Sequence, residues 1–268
     1  MKRVLIDDLN DPRIAIYRAL KATNQTRRLN QFVVEGEKLV ERLLASRFPA
    51  VSVLVTDRHE PRLVASIPDE IPTYVVPHSL IDSVVGFPFH RGVMGCGEVR
   101  PWPPLAEIVE SAGRLVTLVI CPKLSNPENL GAIARIADVF GVDAILAGQS
   151  CPDPFSRRVL RVSMGSILQV PLFFGEQCGQ MADDLVLTNE VSLVGAVADA
   201  AAPAFDRAPR PDRIGLILGD EDNGIEPEWL ERCQQIVTIP MRSGAGSLNV
   251  AVAAGILIQA FTRDLRPD

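Results

Sequence analysis

Two polar residues, Ser247 and Asn249, stand at the start of a helix near the end of the chain. The helix, predicted from about 248 to 262, is apolar almost all the way round, and a glycine-rich loop precedes it. Burying polar side chains without partners is costly. Both residue types are good helix N-caps, and a helix N-terminus favours anions. One of the two is expected to cap the helix, which leaves the other with hydrogen-bonding capacity for a ligand.

A second candidate group begins a helix predicted at 128–140. Asn129 lies near the start of this helix, where backbone N–H groups are free. Gly131 and Arg135 are four residues apart and share a helix face, so the glycine leaves open space one turn from the guanidinium. That arrangement suits a phosphate or another anionic group. The alternative is that Asn129 caps the helix and Arg135 forms a surface ion pair.

A third candidate group follows an apolar strand predicted at 214–219. Gly219 would allow a ligand to approach the backbone closely. Glu221, in the acidic turn 220–222, could bind a ribose hydroxyl or orient a basic group. The alternative is an ordinary charged turn.

The elements around these groups alternate between strand and helix, which predicts a parallel sheet covered by helices. Ligands of such sheets bind beyond the carboxyl ends of the strands, where all three groups lie. Strands are predicted at 115–121, 142–147, 191–198, 214–219 and 235–240. Helices are predicted at 128–140, around 155–166, at 176–188 and from 248 to 262.

The first hundred residues predict a separate small α/β domain, with boundaries at 1–104 and 105–268. The proline-rich stretch 101–113 is interpreted as the linker, because proline interrupts helices and strands. Strands of the first domain are predicted at 31–36, 51–56, 73–76 and 91–99, with a helix at 37–46.

The charge of the chain is −6, but residues 1–104 carry +2 and the remainder carries −8. A local basic region can bind phosphates whatever the total. Five arginines are candidates for binding phosphate groups, with a solvated surface as the alternative. They are Arg27 and Arg28 in the first domain and Arg157, Arg158 and Arg161 in the second.

The cysteine, histidine and apolar patterns exclude several protein classes. The five cysteines are scattered and never spaced C-x-x-C, which indicates reduced thiols in the cytoplasm. The three histidines are isolated in sequence, so we expect no metal site. No apolar run is long enough for a membrane helix, and the first ten residues do not resemble a signal peptide. The usual dinucleotide, P-loop and hydrolase-elbow motifs are missing.

Taken together, the three groups resemble the three signature motifs of the SpoU (TrmH) family of RNA ribose 2′-O-methyltransferases, in the SPOUT superfamily. The motifs in this chain are NPENLGAIARIADVFG, LILGDEDNGI and IPMRSGAGSLNVAVAAGI. Residues 153–171 also resemble the region between the first two motifs. The match covers about 113–264 in the family's order and spacing. The first domain resembles the small ribosomal-protein-like RNA-binding domain that many members carry.

The resemblance implies an α/β fold whose carboxyl-terminal segment forms a trefoil knot, a homodimer, and S-adenosylmethionine bound at the knot. True knots are rare, and the pattern of elements alone does not predict one. The residues implied in cofactor binding are Gly219, Ile239, Met241 and Leu248. The residues implied in catalysis are Asn129, Arg135, Glu221, Ser247 and Asn249.

The implied reaction moves a methyl group to a ribose 2′-hydroxyl by in-line displacement, with ribosomal RNA favoured over transfer RNA as substrate. The family proposal makes Arg135 a general base, but arginine is hard to deprotonate. We therefore favour a role in which Arg135 holds the adjacent phosphate and stabilises the developing alkoxide. One alternative is a non-catalytic RNA-binding protein with a methyltransferase-like fold. Another is a nucleotide-dependent enzyme on an ordinary doubly wound sheet.

Overall fold

The computed structural model describes residues 3–18, 20, 29–63, 66–242 and 246–262. The chain divides into two compact units. The first unit comprises residues 1–101 and 155–169, and the second comprises 102–154 and 170–268. A segment from the middle of the chain therefore belongs to the same compact body as the amino-terminal residues. The boundary between residues 104 and 105 stays a prediction.

The first unit contains a mixed five-stranded sheet in the order β1-β4-β3-β5-β2. Its strands are β1 (Arg3–Leu5), β2 (Gln31–Glu35), β3 (Ala50–Thr56), β4 (Thr73–Val76) and β5 (Val93–Glu98). Strands β1, β4 and β3 run parallel, whereas β5 is antiparallel to both β3 and β2. Its helices before residue 101 are α1 (Ala15–Arg18), α2 (Glu37–Leu44), α3 (Glu60–Leu63) and α4 (Ile81–Val85), with a 3-10 turn at Pro12–Ile14.

The segment 155–169 packs into the first unit through an aromatic residue and a buried ion pair. Phe155 stacks on Phe32 with ring centroids 4.9 Å apart. Arg157, at the start of helix α5 (Arg157–Val162), pairs with the buried Glu35. The Arg157 guanidinium also lies 4.2 Å from the centre of the Phe87 ring. These contacts account for the place of the segment in this unit.

The second unit is a six-stranded sheet in the order β11-β9-β10-β6-β7-β8, and every pair of neighbouring strands is parallel. Its strands are β6 (Val116–Cys121), β7 (Ala144–Gly148), β8 (Leu172–Gly175), β9 (Ser192–Val197), β10 (Arg213–Leu218) and β11 (Gln235–Thr238). Strands β6 and β7 are wholly buried, which agrees with their near-continuous apolar sequences.

The helices of the second unit cover this sheet. They are α6 (Leu105–Ser111), α7 (Pro127–Phe140), α8 (Cys178–Asn189), α9 (Pro227–Leu230) and α10 (Val250–Thr262). Helix α7 begins at Pro127 after the N-cap Asn126 and ends at Gly141, whose φ of 69° is left-handed. Helix α10 packs against α7, with Ile136 of α7 close to Gly255 of α10. The last helix is thus placed beside the helix that carries the first motif.

The predicted fold class, a parallel α/β sheet preceded by a small α/β domain, is confirmed. The interpretation of 101–113 as a linker is wrong for 105–111, which form α6 with Leu105 and Val109 in the core. The three prolines end at Pro104, and the following residues are amphipathic, so a helix starts there. The sequence patterns also missed β1 and β8, which are short strands at the edges of their sheets. The threading of the chain into a knot stays a prediction.

Candidate functional site

A chain of hydrogen bonds joins the three candidate groups at the carboxyl edge of the six-stranded sheet. Asn249 donates through Nδ2 to Oδ1 of Asn129, at 3.0 Å. Asn129 in turn donates through Nδ2 to Oε1 of Glu221. The backbone N–H of Ser125 donates to the other oxygen, Oε2, at 3.2 Å. One polar residue from each motif is therefore in direct contact with the next.

Asn129 is the middle residue of this series of hydrogen bonds and does not cap its helix. The cap of α7 is Asn126, whose side chain accepts from the backbone N–H of Glu128 at 2.8 Å. Asn129 lies one turn further and is buried, with 5% of its surface exposed. The capping alternative for Asn129 is therefore wrong. A buried amide with both ends hydrogen-bonded holds two neighbouring loops at a fixed distance.

Asn249 caps α10 as well as contacting Asn129. Its Oδ1 accepts from the backbone N–H of Ala251 at 2.9 Å and of Val252 at 3.3 Å. Ser247 is exposed and lies on the wall of a neighbouring cleft. Of the two residues, one was expected to cap the helix, and that residue is Asn249.

The cleft beside these residues has a volume of about 430 Å³ and lies at the carboxyl ends of β9, β10 and β11. All four predicted cofactor-binding residues line it, together with Glu221 and Ser247. They are Gly219, Ile239, Met241 and Leu248. Such a size and a mixed apolar and polar lining are typical of small-molecule sites. The cleft can accept an adenosine-sized ligand with apolar contact on one side and backbone polar groups on the other.

Gly219 is required by the protein's own backbone. A side-chain carbon placed on it would lie 2.2 Å from the carbonyl carbon of Gly224 and 2.4 Å from the nitrogen of Ile225. The backbone that approaches Gly219 closely is thus the turn that follows β10, and not a ligand. Gly224 itself has a φ of 70°, which favours glycine.

The acidic turn is organised by Asp220, which is buried. Its Oδ1 accepts from the backbone N–H groups of Asp222 at 2.8 Å and Asn223 at 2.6 Å. These bonds, together with Lys123 beside the other oxygen, lower the pKa of Asp220 against the effect of burial. Burial of Glu221 opposes its ionisation, but hydrogen bonds from Asn129 and nearby backbone groups outweigh it and lower its pKa. Both carboxylates are ionised at neutral pH.

Arg135 is exposed on α7 and does not line the cleft. Within the described part of the chain it forms no ion pair, so the surface ion-pair alternative finds no partner there. Its side chain is exposed to solvent on the same helix that carries Asn129. The structure thus brings four of the five predicted catalytic residues to one edge and leaves Arg135 on the adjoining surface.

The predicted RNA-contacting arginines have different surroundings. Arg27 and Arg28 lie outside the described residues. Arg157 is engaged by Glu35 and Phe87, whereas Arg158 is exposed and Arg161 is half-buried. Arg157 is therefore a packing residue of the first unit, a role that its spacing in the sequence could not indicate.

The cysteines and histidines form no metal site within the described residues, where no group of three or more potential ligands occurs. All five cysteines are free. His59 and His78, isolated in sequence, have ring centroids 6.1 Å apart. No helix in the described part of the chain has the length and apolarity to cross a membrane.

Sequence analysis missed two residues at this edge, Lys123 and Ser125. Lys123 lies 3.2 Å from the carboxylate of Asp220, and Ser125 binds Glu221. Both are in the loop after β6, which parallel pairing with β10 places beside the acidic turn. Their position directly after a buried strand was the signal that could have identified them.

Known proteins are similar to this chain in sequence and in fold. The SpoU rRNA Methylase family matches residues 117–259, which are more than half of the chain. An uncharacterized tRNA/rRNA methyltransferase of Mycobacterium bovis is 32% identical, with 96% of this chain and 90% of that protein covered. The 23S rRNA guanosine 2′-O-methyltransferase RlmP of Bacillus subtilis is 28% identical, with 94% and 97% covered.

Among solved structures, the AdoMet-bound rRNA methyltransferase of Sinorhizobium meliloti superimposes with a TM-score of 0.82 at 23% identity, over 99% of each chain. This likeness confirms the SPOUT fold. The resemblance carried by the three motifs is likewise confirmed by the family match. The chain therefore belongs to the SpoU rRNA methylase family.

Proposed function

We propose that this protein transfers a methyl group from S-adenosylmethionine to the 2′-hydroxyl of a guanosine ribose in large-subunit ribosomal RNA. The observation that carries the proposal is the hydrogen-bonded chain Asn249–Asn129–Glu221 at the mouth of the cleft. It joins the residues that the family motifs implicate, from three loops far apart in sequence, beside a cleft of suitable size for the methyl donor.

The residues that line the cleft fit the donor. Ile239, Met241 and Leu248 offer apolar surface, and the turn from Gly219 to Gly224 offers backbone groups and carboxylates. S-adenosylmethionine supplies a methyl carbon on a positively charged sulfur, so that carbon–oxygen bond formation accompanies carbon–sulfur cleavage. The ionised Asp220 and Glu221 favour a cationic ligand in the cleft.

The polar chain would fix the geometry of the substrate ribose. Asn129 is held at both ends, so its position does not depend on the substrate. Pre-organised groups of this kind lower the barrier by positioning the reacting atoms. Arg135, exposed on the same helix, would hold the phosphate next to the target ribose and stabilise the negative charge that develops on the 2′-oxygen as its proton passes to solvent.

The choice of substrate is supported by two relatives, which cover 94% and 76% of this chain. RlmP of Bacillus subtilis and RlmB of Nitrosomonas europaea are named as 2′-O-methyltransferases of guanosine in 23S rRNA. The first unit would then bind the RNA around the target. Because ribosomal RNA is a cytoplasmic substrate in bacteria, we place the protein in the cytoplasm. We also propose that the protein is a homodimer.

The test is transfer of a radiolabelled methyl group to 23S rRNA and to tRNA transcripts, followed by mapping of ribose methylation. We expect label at one guanosine 2′-oxygen of the 23S transcript. Arg135→Ala should reduce transfer by about 10²-fold or more while donor affinity is kept, because the guanidinium acts on the substrate. Arg114→Ala, an exposed arginine at the opposite edge of the sheet, is the matched control.

Two results would contradict the proposal. Transfer to tRNA alone would overturn the substrate class. Donor binding without transfer to any RNA would favour the non-catalytic alternative. Full activity of Arg135→Ala would remove the role proposed for that residue.

A further inference from the structure

We propose that Lys123 is a positioning residue for the methyl-donor cleft and acts through the carboxylate of Asp220. The inference rests on the proposed function, because it takes the cleft to be the donor site. Lys123 belongs to none of the residues that the family motifs implicate, and its loop follows a different strand from the acidic turn.

The ammonium group of Lys123 connects two acidic side chains of the loop after β10. Its Nζ lies 3.2 Å from Oδ2 of Asp220 and 3.6 Å from Oε1 of Glu226. The side chain of Asp220 is only 3% exposed, whereas that of Lys123 is 38% exposed. A buried carboxylate depends strongly on a charged partner, so this pair matters more than an ion pair on the surface.

Asp220 determines the conformation of the turn that lines the cleft. Its side chain accepts from two backbone N–H groups, those of Asp222 and Asn223. Its own backbone exchanges hydrogen bonds with Gly224, at 2.9 and 3.1 Å. All residues from Gly219 to Ile225 line the cleft. A displacement of the Asp220 carboxylate would therefore change the shape of one whole wall.

The positive charge of Lys123 also offsets electrostatic repulsion between neighbouring acidic groups. Asp220, Glu221 and Asp222 are consecutive, and the first two carboxylates are both ionised and held at one sheet edge. The negative charge of Glu221 is stabilised by hydrogen bonds from Asn129 and Ser125. Lys123 provides the corresponding contact for Asp220. Without it, repulsion between the adjacent carboxylates would open the turn.

Lys123 does not itself line the cleft, so it does not contact the donor. Its loss should therefore weaken donor binding and raise the donor KM, with a smaller effect on kcat at saturating donor. This division distinguishes it from Arg135, whose loss should lower kcat and leave donor binding intact. A residue that only contributed to overall stability would change neither constant at a temperature where the protein is folded.

The experiment compares Lys123→Met, which keeps the length of the side chain and removes its charge, with Lys123→Arg. Dissociation constants for S-adenosylmethionine and S-adenosylhomocysteine are measured by calorimetry. We expect about a tenfold weakening for Lys123→Met and less than about threefold for Lys123→Arg. Hydrogen exchange of the backbone at 219–226 should become faster in Lys123→Met. Because exchange is measured without ligand, it reports on the turn directly.

The chain offers a matched control at the other end of the same two strands. Arg114 lies just before β6 and pairs with Asp212, just before β10, at 2.8 Å. Arg114→Met removes an ion pair that joins β6 and β10 at their amino ends, away from the cleft. The Arg114 side chain in this pair is 83% exposed. We expect it to leave donor affinity and exchange at 219–226 unchanged.

A double mutant tests the route through Asp220. In an Asp220→Asn background, Lys123→Met should have no further effect on donor affinity, because the charge it acts on is already gone. If Lys123→Met does not fold, Asp220→Asn alone must reproduce the loss of affinity. Wild-type affinity in Lys123→Met, or additive effects in the double mutant, would overturn the inference. Failure of the wild-type protein to bind either ligand would instead contradict the donor site itself.

Discussion

The side chain of Asn249 performs two tasks that a single substitution can separate. Its Oδ1 caps α10, and its Nδ2 donates to Asn129. Asn249→Asp keeps an acceptor for the cap and adds a negative charge at a helix N-terminus, which is favourable. The same change removes the donor to Asn129. If Asn129 turned its amide to restore that bond, its oxygen would face the carboxylate of Glu221.

We therefore expect Asn249→Asp to keep the free energy of unfolding within about 0.5 kcal/mol of wild type and to lower methyl transfer by roughly 10- to 100-fold. Asn249→Ala should lower both, with a stability loss of about 1 kcal/mol from the missing cap. Urea unfolding and single-turnover transfer measure the two effects. Wild-type transfer in Asn249→Asp would show that the contact with Asn129 has no part in the reaction.

At the scale of elements, the regular parts of the second unit follow from its sequence. Strands β6 and β10 are mostly apolar, and α7 is delimited by Asn126, Pro127 and Gly141. The parallel sheet places the three motif loops at one edge, so the convergence of Asn129, Glu221 and Asn249 follows from local patterns. The identity of the bonds between them required the structure.

The remaining features depend on contacts between residues distant in sequence. Arg157 was a candidate for RNA binding because local charge does not reveal that Glu35, 122 positions away, is its partner. Likewise, Gly219 was expected to admit a ligand, but the space is occupied by the backbone of its own turn.

The enzyme class expected from the motifs, an RNA ribose 2′-O-methyltransferase that uses S-adenosylmethionine, is confirmed by the family.

Helix α5 provides a test of the packing role of Arg157. Its partner Glu35 has a side chain only 11% exposed, and the loss of the guanidinium would leave that carboxylate unpaired. We expect Arg157→Met to lower the free energy of unfolding by about 2 kcal/mol, less than for a fully buried pair because Arg157 is 30% exposed. Chemical denaturation measures this loss.

The neighbouring Arg158→Met is the control, since Arg158 is exposed on the same helix. We expect a change in stability within about 0.5 kcal/mol for this variant. In the double variant Glu35→Gln, Arg157→Met, part of the lost stability should return, because the unpaired charge is removed. If Arg157→Met instead kept its stability and lost RNA affinity in filter binding, its interpretation as a packing residue would be wrong.

At the scale of the molecule, the two units are built from interleaved parts of the chain. Residues 155–169 belong to the first unit, although the residues before and after them belong to the second. Strand β8 of the second unit follows this segment. The candidate site, by contrast, is built from the second unit alone, since the motif loops and the cleft lie within 121–129, 196–225 and 239–257. Under the proposed function, the chemistry would therefore depend on the second unit, and the first unit would be available to select the RNA.

The outer face of α10 supports the proposal of a homodimer. Val252 is 51% exposed and Ile256 is 36% exposed, one turn apart, on a helix that otherwise packs into the second unit against α7. Two apolar side chains at this spacing form a stripe suited to a second helix of the same kind. A second copy of the chain would cover this stripe in an isologous contact, in which each copy presents the same surface.

Val252→Glu should therefore convert the dimer into a monomer, because a carboxylate would be buried without a partner at the contact. Light scattering after size-exclusion chromatography measures the mass over a range of protein concentrations. Leu187→Glu is the matched control: Leu187 is 80% exposed on α8, so the same change of charge there should leave the mass unchanged. A wild-type protein that remains monomeric at all concentrations would contradict the dimer. A Val252→Glu protein that remains dimeric would place the contact on another surface, because the α10 stripe could not tolerate that charge.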